Sequence, residues 1–386
     1  MRKCWTVSVV ALVATAFVVV GSPGALAGPK QVVVGTASED CKKPDAATVQ
    51  AGVNLANPGD TVLVCPGTYI EQVTIPADKS GIELRSERKL AAILQAPPTM
   101  EVPKAIVRVN GATDVAIRDF VITGPGGSSC DSIRYGVRID GSGSAEINGN
   151  HITKIRDAGD SGCQNGVGIQ VGRAFEGQIG TAVIRDNVID EYQKNGITVD
   201  NTGSSAEIDH NTITGLGAVD FIAQNGVQIS RGATGSVDHN AISDNEYTGI
   251  DCSTGVLLFD SGEVEVGHNT VTRNDCSIFL WDTGAAAEVD AEVHHNDVSD
   301  SAVDGIDLVG EVSNANVHHN KITQSGSDGI FVDTLSTDNV LAHNKIDLST
   351  GLDADDLSVG TGTGGTANTW AHNQCTTDNH GGALCS

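Results

Sequence analysis

Two marks recur along this chain in alternation, and no other feature limits its fold as strongly. An Asn followed two residues later by Ile, Val or Cys stands at Asn150, Asn187, Asn211, Asn240, Asn269, Asn296, Asn320, Asn344 and Asn373, in steps of 24 to 37 residues. Alternating with these Asn residues from Gly136 to Asn344 are Gly-Val or Gly-Ile pairs at Gly136, Gly166, Gly196, Gly226, Gly249, Gly305 and Gly329, with Ser277-Ile278 filling the one gap. Each unit reads as a short strand such as Gly226-Val227-Gln228-Ile229 and a second such as Ser236-Val237-Asp238. A turn at Asn240 and a third strand, Ala241-Ile242-Ser243, complete it. Period-2 alternation gives every strand one inward and one outward face. Three short strands cannot bury a core alone, but stacked coils bury a continuous one. The expectation is an all-β solenoid. Asn is expected at the tight turn because it tolerates left-handed backbone and its amide can bond to the Asn of neighbouring coils.

The stretch from Ala47-Thr48-Val49-Gln50-Ala51-Gly52-Val53 through Pro58-Gly59-Asp60-Thr61-Val62 to Pro66-Gly67-Thr68-Tyr69 resembles the start of many pectin lyase-like proteins, pectin methylesterases among them. With the repeat, the resemblance covers nearly all of the chain after residue 27. It implies a right-handed parallel β-helix in which a short helix near residues 45–56 caps the N-terminal end of the core. An open coil end invites edge-to-edge aggregation, so such a cap is also expected on physical grounds. Trp370 and a Cys375–Cys385 loop are expected to close the other end. Regular Leu positions, which a leucine-rich solenoid needs, are absent.

Arg2 and Lys3, an apolar run to about Val20 and the small-residue triplet Ala25-Leu26-Ala27 have the order of a secretory signal. The expected organisation is residues 1–27 as signal, 28–105 as cap and first coils, and 106–386 as the repeats. Cleavage removes Cys4 and leaves eight cysteines. An even count in an exported chain favours disulfides, and sequence proximity suggests Cys41–Cys65, Cys130–Cys163, Cys252–Cys276 and Cys375–Cys385. Loss of Arg2 and Lys3 takes the formal charge from −26 to −28, which disfavours nucleic acid as a partner. A secreted monomer without a membrane contact is expected.

Long loops flank the Gly-marked strand on both sides, so its outer face should be the floor of a groove. Alternation places Arg138, Gly168, Thr198, Gln228, Asp251, Phe279, Asp307 and Phe331 in one outward column, and Asp140, Gln170, Asp200, Ser230, Ser253, Trp281, Val309 and Asp333 in the next, with Arg108 beside Arg138. Guanidiniums, carboxylates, amides and flat rings along one face suit an extracellular polysaccharide, and the resembled superfamily commonly binds polysaccharide on this sheet. Asp140, Asp200, Asp251 and Arg138 are the candidate catalytic groups; Arg108, Gln170, Gln228, Phe279, Trp281, Asp307 and Phe331 are the candidate binding groups. Carboxylates two coils apart would lie near ~9.5 Å, at the upper edge for an inverting glycosidase pair. A lyase would use a basic residue beside a neutralised uronate, with Ca²⁺ on Asp200 and Asp251 as one source of neutralisation. Hydrolase, lyase and esterase chemistry stay open, as does a noncatalytic glycan-binding role.

Two local motifs carry little. Asp220-Phe221-Ile222 echoes a pectin methylesterase signature but falls in a loop insert, and Asp304-Gly305-Ile306-Asp307 reads as the repeat itself. Seven histidines directly precede a ladder Asn: His210, His239, His268, His295, His319, His343 and His372, with His294 and His318 beside two of them. The column is read as a stacked corner ladder. Copper or zinc binding is the alternative, since a similar β-helix family is linked to copper-site maturation in nitrous oxide reductase.

Overall fold

The computed structural model describes residues 28–285 and 289–385; the expected signal segment lies outside the described residues. Three parallel sheets of 13, 11 and 11 strands run the length of the molecule. Each coil gives one strand to each sheet, so every strand pairs with its counterparts in the coils before and after it. The first sheet carries the strands before the Asn turn, such as Thr234–Asp238. The second carries those after it, such as Ala241–Tyr247. The third carries the Gly-marked strands, such as Asn225–Ser230.

Inward residues stack in columns. Ile117, Ile147, Ile184, Ile208, Val237, Val266, Val293, Val317 and Leu341 follow one another in register through the first sheet, and all are fully buried. Each such side chain is worth roughly 1.5–3 kcal/mol of burial, and no coil could bury its own without neighbours. Val49–Leu55 forms the capping helix, with Thr48 as N-cap. The Glu71 carboxylate accepts from the free Val49 and Gln50 amides at 2.8 and 2.9 Å, satisfying two donors left open at the helix start. Gly52 packs so closely that a Cβ there would sit 2.3 Å from Val34. At the far end Trp370 stacks beyond Leu341, and its indole N–H donates to Asp356 at 2.8 Å.

The four disulfides join Cys41–Cys65, Cys130–Cys163, Cys252–Cys276 and Cys375–Cys385, the pairing expected from proximity. No helix among the described residues is long and apolar enough to cross a membrane.

One expectation about the turn is corrected. The ladder Asn residues are not the left-handed ones; the residue before each of them is, with φ of +53° to +58° at the seven histidines. The Asn side chains instead point inward and are buried. Each amide donates to the next Asn Oδ1, and each Oδ1 accepts the backbone N–H of the Asn before it, as with Asn240 and Asn269 at 3.1 and 2.9 Å. An inward amide ladder fixes the Asn backbone, so the reversal of direction falls on its predecessor.

Candidate functional site

The third sheet presents the groove floor, but its register differs from the sequence expectation in two coils. Arg138 pairs with Gln170 rather than with Gly168, because the strand is Val167–Val171 and Gly168 takes the place of Gly136. Thr254–Phe259 supplies the strand assigned to Gly249-Ile250. Leu257 therefore stands beside Gln228 and Phe279, and Phe259 beside Ser230 and Trp281. Asp251 is not on the floor at all; it sits in the exposed loop before that strand.

The charged N-terminal half of the floor is closed. Asp140 is fully buried between Arg108 and Arg138, with contacts of 2.9 and 2.8 Å. Arg138 reaches on to Glu176 at 2.5 Å, in a short 3₁₀ turn, Ala174–Glu176, that folds over this region. Asp200 receives Arg231 at 3.0 Å, the Ser230 hydroxyl at 3.0 Å and the Ala174 amide at 2.8 Å, and is fully buried. Gln170 is fully buried and donates to the Gly172 carbonyl. Gln228 accepts from Asn195 and Asn225 within the sheet. Arg138, Asp140 and Asp200 are thus internal ion pairs, a correction to their expected catalytic placement. Asp200 ends its strand and Asp251 precedes another, so they lie toward opposite edges of the sheet and the expected shared Ca²⁺ site does not form. Arg138→Ala should lower stability by about 2–3 kcal/mol, somewhat less than a fully broken buried pair because Arg108 still faces Asp140. Denaturant melts check this, with glycan affinity unchanged.

The open cleft lies further along. It has a volume of about 630 Å³. Its floor is Leu257, Phe279, Asp307 and Phe331, with Trp281 and Val309 beside them. One wall is Phe221, Ile222 and Ala223; another is Tyr247 with Ile250, Asp251 and Cys252; Val303 and Asp304 form part of the rim. The Cys252–Cys276 disulfide ties the second wall to the floor. Phe279 and Trp281 stack at 5.9 Å and 8° between planes, and Phe259 meets Trp281 edge-on at 5.1 Å. Trp281 keeps 40% of its surface exposed, so a wide apolar plate faces solvent.

Asp307 is only 3% exposed, and its Oδ2 has no hydrogen-bond donor. A carboxylate oxygen of Asp304 comes within 4.8 Å of it. Burial first, and then the Asp304 charge, push the Asp307 carboxyl well above the ordinary carboxylate range. Asp304 is itself raised, mainly by burial. The two carboxyls therefore each resist ionisation in the presence of the other's charge. Toward the other end, burial lowers the Lys194 ammonium pKa, opposed by the Asp251 charge, while its Nζ donates to the Ala223 carbonyl at 2.7 Å. Cys276 also approaches Asp304 and Asp307, but it is disulfide-bonded and offers no thiolate.

The cleft thus gathers Phe279, Trp281, Asp307 and Phe331 from the expected floor, and Asp251 from a loop. Sequence reasoning missed Leu257, Lys194, Tyr247 and Asp304 in the lining, and Phe259, which packs against Trp281 beside it. Asp304 is legible as an acid within the Asp-Gly-Ile-Asp fragment, but the repeat accounts for that fragment equally well.

Comparison with known proteins gives the same architecture. The family model described as right handed beta helix region matches residues 105–293, and that described as periplasmic copper-binding protein (NosD) matches residues 221–376. No curated protein matches the sequence. Among solved structures, an alginate lyase from Paenibacillus superposes with a TM-score of 0.55 at 18% identity, covering 79% of this chain and 98% of that one. XylC in complex with xylose gives 0.58 at 14%, covering 86% and 77%. A GH136 lacto-N-biosidase from Eubacterium ramulus gives 0.58 at 12%, covering 89% and 67%. At such identities the likeness establishes the fold.

Proposed function

Because the chain is a right-handed parallel β-helix of the pectin lyase-like fold, we propose that it binds an extracellular polysaccharide in the cleft over its third sheet and hydrolyses a glycosidic bond there. One observation carries the reading: a buried carboxyl, Asp307, held above the ordinary carboxylate range by burial and by Asp304, stands beside an exposed aromatic plate within a single cleft. Flat apolar rings suit sugar faces, and a carboxyl whose pKa is raised by burial suits proton donation to the departing glycosidic oxygen. Asp307 gives that oxygen its proton. Asp251, exposed on a facing wall, takes the proton of the attacking water. Both carboxyls line the same cleft, so one can protonate the leaving oxygen while the other activates water. The alginate lyase, xylose-bound and lacto-N-biosidase structures support the substrate class. Four disulfides fit an oxidising compartment, extracellular or periplasmic.

Incubation with a panel of neutral and uronate-containing glycans tests this. New reducing ends without ultraviolet absorbance from unsaturated uronates are expected; absorbance would indicate elimination instead. Saturable binding with neither product would leave a noncatalytic glycan-binding protein. Trp281→Ala should weaken affinity about tenfold whatever the ligand charge, as loss of roughly 1.4 kcal/mol of ring contact.

A second reading, copper handling, is favoured by a separate observation. The copper-related family model spans residues 221–376, which hold eight of the nine corner histidines.

A further inference from the structure

The left-handed turn before each ladder Asn does not require histidine. In three earlier coils Asp119, Gly149 and Asp186 occupy it, with φ of +64°, +69° and +55°. From His210 onward every such position is His, and the rings stack in one unbroken column at 4.9 to 5.1 Å. What the Nδ1 atoms meet changes along that column. His210 and His239 face Asp209 and Asp238 at 2.7 and 2.8 Å, and His268 faces Asp238 at 3.0 Å. His295 and His319 instead face a second histidine, the Nδ1 atoms of His294 and His318 lying 3.1 and 2.9 Å away. His343 and His372 follow alanines, Ala342 and Ala371.

His294 and His318 stand nearly perpendicular to the column, at 82° and 87° to their partners. The Nε2 of His294 meets the Glu265 carboxylate at 2.9 Å, and that of His318 meets Glu292. A carboxylate accepts, so it holds the imidazole proton on Nε2 and leaves the Nδ1 lone pair directed at the neighbouring ring. This is the carboxylate–histidine pairing that orients metal ligands. One ligand atom each from His268, His294 and His295 falls within 4.8 Å of the others.

We propose that His268, His294 and His295, extended by His318 and His319 one coil further, form a copper(II) site on this corner of the helix. The proposal rests on the copper reading above and gives it a location. Two nitrogens on adjacent positions of a tetragonal copper, with bonds of about 2.0 Å, lie about 2.8 Å apart, and tetrahedral zinc needs about 3.3 Å. The His318–His319 pair at 2.9 Å stands nearer the first value and the His294–His295 pair at 3.1 Å falls between the two; the choice of copper rests on imidazole sites holding copper(II) above other first-row divalent cations. Coordination asks only that His295 and His319 carry their protons on Nε2. Glu265 and Glu292 act as positioning residues.

The test uses the full disulfide-bonded chain, stripped with chelator and titrated with copper(II) sulfate under calorimetry and electron paramagnetic resonance. A tetragonal spectrum with nitrogen hyperfine splitting is expected. The His294→Ala, His318→Ala double variant should bind about 100-fold more weakly, and alanine is tolerated in this column at Ala342 and Ala371. A His343→Ala, His372→Ala variant removes as many ladder rings from positions lacking a second histidine, and should bind as wild type does. Glu265→Gln with Glu292→Gln should lose about tenfold or more. Copper binding that the His294 and His318 changes leave untouched would overturn the site while the copper reading stood. No copper binding at micromolar concentration would overturn both.

Discussion

Asp307→Asn should lower the rate of glycan hydrolysis by about a thousandfold while leaving affinity within a few-fold of wild type. General acid catalysis contributes roughly 10²–10⁴, and the amide keeps the shape of the carboxyl but has no proton to give to the leaving oxygen. The binding plate of Phe279, Trp281 and Phe331 is untouched, so turnover and affinity should separate. Asp251→Asn should also depress turnover, since the attacking water then lacks its base. Loss of affinity in step with turnover in the Asp307 variant would assign this residue to substrate positioning and end its role as proton donor.

The same carboxyl sets a pH dependence whose sign can be worked out. Its folded pKa lies well above that of the unfolded chain, so within that window the folded state binds a proton that the unfolded state has lost. Its contribution to stability is therefore greatest at low pH and is lost as pH rises through the folded value. Activity should fall over the same upper range as Asp307 ionises. Because Asp304 is coupled to it, the profile reports apparent values of the pair. Asp307→Asn should reduce this loss of stability with rising pH to the part that Asp304 contributes, which melting curves across pH would reveal independently of any substrate.

The coil was legible in the sequence because a buried column needs the same residue class at the same place in every turn. Isoleucine and valine at the position of Ile208, Val237 and Val266 announce the core directly. The site was less legible, for reasons tied to particular residues. Gly249-Ile250 and Gly255-Val256 both fit the strand mark six residues apart, and only pairing with Asn225–Ser230 selects the second. Taking the first put Asp251 on the floor and hid Leu257 and Phe259. Alternation correctly gave Arg138, Asp140 and Asp200 outward directions. It could not show that a turn at residues 174–176 comes back over them, because that closure depends on Glu176 meeting Arg138 from 38 residues away. An outward direction is a property of a strand, whereas exposure depends on whatever loop lies above it.

The turn offers a final expectation, in which two adjacent residues should behave oppositely. Asn269→Ala should destabilise the protein by about 4 kcal/mol or more. Its Nδ2 donates to the Val237 carbonyl and to Asn296 Oδ1 at 2.8 and 3.0 Å, and its Oδ1 accepts from the Asn240 amide and side chain at 2.9 and 3.1 Å. Each lost bond costs about 1 kcal/mol, and the Asn240 N–H left buried without an acceptor adds roughly 1–3 more. The break falls mid-column, where nearest-neighbour coupling holds the coils together, so unfolding should also lose cooperativity. Asn269→Gly should fare no better, because this residue is not the left-handed one. His268→Gly should stay within about 1 kcal/mol of wild type: its φ of +54° suits glycine, and relief of that conformation offsets the lost ring stacking. Urea unfolding of the three variants decides the matter. A His268→Gly loss exceeding that of Asn269→Ala would mean that the imidazole column, and not the amide ladder beneath it, holds this corner together.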